Sequence, residues 1–210
     1  MTIAVDHDTK LFVNKQPGGM FVVRDAAECP GRVWWVGSNV TAASDSAGFG
    51  QNPGAPFATL DYAFDTGNVL ADRGDVVYVL PSHAETAATD VELFDVDAAS
   101  ATVIGLGVGD KRPTFTITHA DATVVLGAAG CRLSNLRFIT GVADCVTAIE
   151  VEAAATGCVI DHCYVADTAS GTDLLVAIAV EADADRLMIV DNHFNCVTGG
   201  EATEIGRSHV

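Results

Sequence analysis

The sequence predicts an all-β protein, a short parallel β-helix of about five rungs with an N-terminal capping helix and an N-terminal extension. Three observations carry this expectation. The segments Leu133-Ser134-Asn135-Leu136-Arg137-Phe138, Ile160-Asp161-His162-Cys163-Tyr164-Val165 and Ile189-Val190-Asp191-Asn192-His193-Phe194 align, starting 27 and then 29 residues apart. A second family interleaves with them, Thr147 to Ala154 matching Val176 to Asp183 at an offset of 29. The runs between turns are short and β-branched, and the turns are rich in Gly, Asp, Asn and Thr. A period of this size made of short strands suits a solenoid in which equivalent strands stack in parallel, one rung per repeat. Leucine-rich repeats share the period, but their L-x-x-L-x-L frame is absent.

The elements follow in order. Residues 1–36 show no matching period and read as an extension, an attachment arm containing Pro17-Gly18-Gly19, Pro30-Gly31 and the apolar run Val33-Trp34-Trp35-Val36. Residues 37–74 read as a loop and a capping helix. In that segment Phe57, Leu60 and Phe64 lie at i, i+3 and i+7 with Pro56 at the first turn, a short amphipathic helix suited to cover the unpaired edge of the first rung. Residues 75–210 read as the β-helix. Its strands are expected at Val76–Leu80 with Val91–Val96, at Thr102–Gly107 with Pro113–Thr118 and Thr123–Leu126, and in three rungs beginning near Cys131, Cys158 and Leu187. Stacking keeps one residue class at each level, so Leu133/Ile160/Ile189 and Phe138/Val165/Phe194 are expected as inward columns. Cys131 and Cys158 share a column, which reads these thiols as small buried hydrophobes. The six cysteines form no C-x-x-C pair and no zinc spacing with histidine.

Charge narrows the function. The chain has 11 basic and 28 acidic residues and a formal net charge of −17, yet it is 49% hydrophobic, so it has the apolar side chains for a packed core. So few cations spread along the chain supply no phosphate-neutralising patch, which excludes nucleic acid and an anionic membrane surface as expected partners. Residues 1–40 are neutral in sum, and the whole negative charge follows them. Twenty of the acids are Asp, a turn-forming residue. No apolar run approaches a membrane span, and the N-terminus lacks the basic stretch and apolar run of an export signal.

Gly37-Ser38-Asn39, Pro56-Phe57-Ala58-Thr59-Leu60-Asp61, Gly74 to Thr86, Val103-Ile104-Gly105-Leu106-Gly107 and Arg112-Pro113-Thr114-Phe115 together resemble right-handed parallel β-helix, pectate-lyase-like virion proteins of tailed bacteriophages. The resemblance covers about residues 33–196 and implies a right-handed β-helix in a virion. Such proteins serve as tail spikes, fibres and capsid decoration. This chain stops after about five rungs, which argues against a long carbohydrate-cleaving groove.

The expected function is therefore a non-enzymatic virion structural protein, a trimeric capsid decoration or cement protein made in the host cytoplasm and mounted on the capsid exterior. Its expected partners are the major capsid protein and further copies of itself, with Phe12, Val13, Phe21, Val22, Trp34 and Trp35 as the attachment residues. No cofactor, catalytic residue or metal is expected. The alternative is a tail spike or fibre component that binds or cleaves host-surface polysaccharide. Hydrolysis would need two carboxylates about 5–10 Å apart, and Asp161, Asp167, Asp191, Glu150, Glu152 and Glu181 are the candidates. Glu152 and Glu181 align one rung apart, which places them about 5 Å from each other as a cation site or as part of a solvated acidic ridge. His83 and Glu85 follow a strand within Pro81-Ser82-His83-Ala84-Glu85-Thr86 and read as turn formers. His162 and His193 read as wall or turn residues, and Gly105-Leu106-Gly107-Val108-Gly109-Asp110 lacks the helix a dinucleotide loop would open.

Overall fold

The structure, a computed structural model, describes residues 31–65, 67–89, 92–168 and 172–195, together with the strands Val13–Gln16, Gly19–Val22 and Glu204–Arg207. Its body is a parallel β-solenoid with three faces. The first face stacks six strands: β3 (Val33–Val36), β4 (Val76–Val79), β7 (Thr102–Gly105), β10 (Arg132–Ser134), β13 (Val159–Asp161) and β16 (Met188–Val190). The second stacks five: β5 (Ala84–Ala87), β8 (Thr114–Ile117), β11 (Arg137–Thr140), β14 (Tyr164–Asp167) and β17 (His193–Asn195). The third also stacks five: β6 (Phe94–Asp95), β9 (Val124–Leu126), β12 (Cys145–Val151), β15 (Leu174–Val180) and β18 (Glu204–Arg207). Each neighbouring pair in these three sheets is parallel. The two remaining strands, β1 (Val13–Gln16) and β2 (Gly19–Val22), form an antiparallel hairpin sheet of their own. Among the described residues no helix is long and apolar enough to cross a membrane.

The registers confirm the inward columns. On the first face Trp34, Val77, Val103, Leu133, Ile160 and Ile189 stack, and all but Ile189 are buried. On the second face Glu85, Phe115, Phe138, Val165 and Phe194 stack. Phe115 and Phe138 stack face to face with centroids 5.8 Å apart, and Phe94 of the third face meets Phe115 edge-on at 5.0 Å. Burial of these rings and branched side chains is the main force holding the rungs together, since a parallel sheet buried on its inner side gains its stability from such columns. Cys131, Cys145, Cys158 and Cys163 are free and buried; Cys29 and Cys196 lie outside the described residues. Cys131 and Cys158 occupy adjacent rungs, the Val159 N–H donating to the Cys131 carbonyl at 2.9 Å, and their thiols turn to the Ala98 and Ala128 carbonyls at 3.3 and 3.2 Å.

The corners follow a rule that the repeat alone does not display. Two residues ahead of each strand of the first face from β4 onward stands a left-handed residue: Gly74, Ser100, Gly130, Gly157 and Arg186, with φ between 59° and 71°. Directly after β10, β13 and β16 stands another, Asn135, His162 and Asp191, with φ between 53° and 56°. Left-handed backbone turns the chain sharply, and Gly, Asn and Asp adopt it at least cost.

Three expectations need correction. Val33–Val36 pairs in register with Val76–Val79, so Trp34 and Trp35 belong to the solenoid and only the residues before it remain as a separate arm. Trp34 is inside, stacked 5.6 Å from Phe57 and 4% exposed. Trp35 is 7% exposed in a second apolar cluster on the outer side of the first face, 5.1 Å from Tyr78. Neither indole is available for attachment. The segment Ala84–Ala87, read as a turn, is a strand of the second face, because its alternation is disguised by a charged inward residue, Glu85. The capping helix α1 is a single turn, Asp61–Asp65, and Pro56 lies outside it. Phe57 instead pairs with Val36 in a parallel bridge, so the cap is an extended segment followed by one helical turn.

Candidate functional site

Of the expected attachment residues, Phe12 lies outside the described residues, and Val13, Phe21 and Val22 fall on the hairpin of β1 and β2. Glu152 and Glu181 do follow the paired ends of β12 and β15, one rung apart, Val151 standing opposite Val180. The Glu181 carboxylate accepts the Ala153 N–H at 2.8 Å, which makes it a turn acceptor bridging two rungs. Among the described residues no group of three or more His, Cys, Asp or Glu side chains is placed to hold a metal ion. Asp191 is exposed at a left-handed corner and Asp167 is buried at the inner end of β14. They are not brought to one groove with Asp161.

His83 and Glu85 form the polar end of the second-face column. The Ser38 N–H donates to His83 Nδ1 at 2.9 Å, which leaves the ring proton on Nε2 to donate to Glu85 Oε1 at 2.7 Å. The same Glu85 oxygen accepts the Leu60 N–H at 2.7 Å. One buried pair thus ties the first rung to the loop at Ser38 and to the start of the cap. Asp75 does similar work beside it: fully buried, it pairs with Arg73 and accepts the N–H groups of Arg32 at 2.6 Å and Leu70 at 3.1 Å. Burial pushes its carboxyl up, but the Arg73 guanidinium and these donors outweigh burial and hold it below the usual range.

Asp161 stands on the outer side of the first face, 5% exposed, and receives a two-pronged Arg132 guanidinium at 2.7 Å on each oxygen. The Ser134 hydroxyl at 3.1 Å and His162 Nδ1 at 2.7 Å complete its partners. Against the upward push of burial, these partners lower its pKa to about 2. A carboxylate so fully engaged is an anchor between rungs and has no lone pair to offer a substrate.

The third face is acidic. Asp95, Val125 and Glu150 form one outward column, and burial followed by the charges of Asp97, Glu92 and Glu152 raises Asp95 to about 7. Burial and then the Glu181 and Glu152 charges raise Glu150 as well.

The second face carries what the sequence reading passed over. Arg137, Tyr164 and His193 stand opposite one another in β11, β14 and β17, outward of the phenylalanine column. The Arg137 guanidinium lies over the Tyr164 ring at 5.5 Å, and Tyr164 stacks on His193 at 5.2 Å with an interplanar angle of 11°. The Asn195 amide donates to the Tyr164 hydroxyl at 2.9 Å. Beside this ladder the Gly109–Lys111 turn brings Asp110 and Arg112, closing a cleft of about 410 Å³ lined by Gly109, Asp110, Arg112, Arg137, Tyr164 and His193. Asn135 fixes the loop leading into that turn, donating to the Gly105 and Gly107 carbonyls at 2.7 and 3.0 Å. The signal was present in the sequence: Arg137, Tyr164 and His193 are the fifth residues of the three aligned segments. Comparison with known proteins finds no matching family model, no matching curated protein and no matching solved structure.

Proposed function

We propose that this chain is a non-enzymatic structural protein of a phage virion, a capsid decoration protein whose arm attaches to the major capsid protein while the solenoid projects outward, with three copies grouped on the particle. The observation that carries this reading is the hairpin of β1 and β2. It pairs with no strand of the solenoid. A two-stranded hairpin alone in water is marginal and is stabilised by a surface to lie on. The arm belongs to the neutral first 40 residues, whereas the body carries the net charge of −17, which favours solubility of a displayed body over close contact with an acidic surface. Resemblance of the sequence to phage β-helices and the small number of rungs support the same reading. Deleting residues 1–30 should abolish co-sedimentation with capsids while the β-sheet circular dichroism of the body persists; a truncated protein that still decorates particles overturns the proposal.

Asp95 favours the second reading, a tail component that cleaves host-surface polysaccharide. A carboxyl raised to about 7 and sharing a face with Glu150 is suited to donate a proton to a glycosidic oxygen. Reducing ends released from host envelope by the wild-type chain and lost in Asp95→Asn would favour it over decoration.

A further inference from the structure

The cleft on the second face is the one place where this acidic chain concentrates unpaired positive charge. Arg73 and Arg132 are each held by a buried aspartate. Arg112 and Arg137 form no ion pair among the described residues, and the Nε of each is shielded from water with no hydrogen-bond acceptor. In a chain with 28 acidic and 11 basic residues, two neighbouring guanidiniums left without a carboxylate need a physical reason. Both line the cleft, on adjacent turns of the solenoid, the Arg137 N–H donating to the Pro113 carbonyl at 2.9 Å.

We propose that this cleft binds an acidic sugar, the carboxylate held by Arg112 and Arg137 and the pyranose ring lying on the Tyr164–His193 stack. Guanidiniums are the side chains best matched to a planar carboxylate, which they engage through paired N–H donors. The stacked rings of Tyr164 and His193 continue directly from Arg137 and offer an apolar platform of the kind that sugar C–H faces cover. Asp110 on the same cleft selects further. Its carboxylate repels a bare phosphate or a polyanion and accepts hydroxyl donors, so the fitting ligand carries one anionic group and several hydroxyls. A volume of about 410 Å³ lies within the range of small-ligand clefts. The site is preorganised, because three of its side chains stand on paired strands and the turn bearing Arg112 is anchored through Asn135. This inference stands apart from capsid decoration: it concerns the solenoid wall, which carries the cleft whether or not the arm binds a particle.

The test is titration of the full chain with D-glucuronate, with glucose and sulfate as comparison ligands, followed by calorimetry and by the ring proton resonances of Tyr164 and His193. Saturable glucuronate binding that shifts both rings is expected, with glucose and sulfate each at least about tenfold weaker, the loss of one charge-assisted contact. Arg112→Gln and Arg137→Gln should each weaken glucuronate at least about tenfold by the same contact, while Arg186→Gln, remote from the cleft in sequence and outside its lining, leaves it unchanged. Unaltered melting curves of the variants separate lost binding from lost folding, and Tyr164→Phe, which keeps the stack, should retain binding if Arg137→Gln proves unstable. Absence of glucuronate binding, equal binding of sulfate, or equal weakening by Arg186→Gln overturns the proposal. Because the probe is a monosaccharide and the readout is binding to purified protein, failure here leaves the capsid co-sedimentation result untouched, and the reverse also holds.

Discussion

Glu85 shows how much a single side chain depends on partners distant in sequence. It occupies an inward position that Phe115, Phe138, Val165 and Phe194 fill in the following rungs. Its partners, His83 and the Leu60 N–H, are two and 25 residues away. The turn-forming look of Pro81-Ser82-His83 hid this role, because nothing local distinguishes an inward glutamate that meets a cap from an exposed one. Glu85→Ala should leave the His83 Nε2–H and the Leu60 N–H without an acceptor and cost about 2 kcal/mol in urea unfolding. The acids also set a pH dependence. Asp95 is raised to about 7, and Asp61, through burial and then the Asp65 charge, to about 6. Raised carboxyls contribute stability that is present in full below their unfolded value near 4 and is lost as pH rises through 6 to 7. Asp161, lowered to about 2, acts oppositely, and its contribution is lost only as pH falls through that value. The melting temperature should therefore be higher at about pH 5 than at about pH 8, and Asp95→Asn should reduce the difference.

At the scale of elements, the columns were legible because parallel stacking repeats one residue class at one level. Leu133, Ile160 and Ile189 were placed inside from spacing alone and stand opposite one another in the ladder. Leu133→Ala opens a cavity between two rungs and should cost about 3 kcal/mol. β3 and β5 were less legible for opposite physical reasons. Trp34 and Trp35 precede the periodic region, and the 39 residues between Val36 and Val76 hide their pairing with β4. β5 lacks the apolar alternation that marks a half-buried strand. The corners were read as turns in general, but their shared left-handed backbone was not visible, since Gly, Ser, Arg, Asn, His and Asp all occupy it. Gly157 is the clean probe, with φ of +71° and open space where a Cβ would stand. Gly157→Ala should cost about 1 kcal/mol, all of it backbone strain, measurable as a lowered urea midpoint at constant slope.

For the whole molecule, three sheets share one axis, and the hydrogen bonds between rungs lie along that axis. The N-terminal end is closed by α1, Phe57 and the His83–Glu85 pair, which keeps the edge of the first rung from templating a foreign strand. The outward columns divide the surface into an acidic third face and a basic and aromatic second face, a contrast that the net charge of −17 conceals. The axial ladder also makes the body mechanically anisotropic. Tension applied between its two ends opens the rungs one after another like a zipper, at far lower force than shearing strands past each other would need. Pulling by the termini in an optical trap should give a regular staircase, each step releasing one repeat of 27 to 29 residues, roughly 95 Å of extended chain. A body gripped at one end would then shed load by unreeling turn by turn, acting as a compliant tether before it acts as a rigid post.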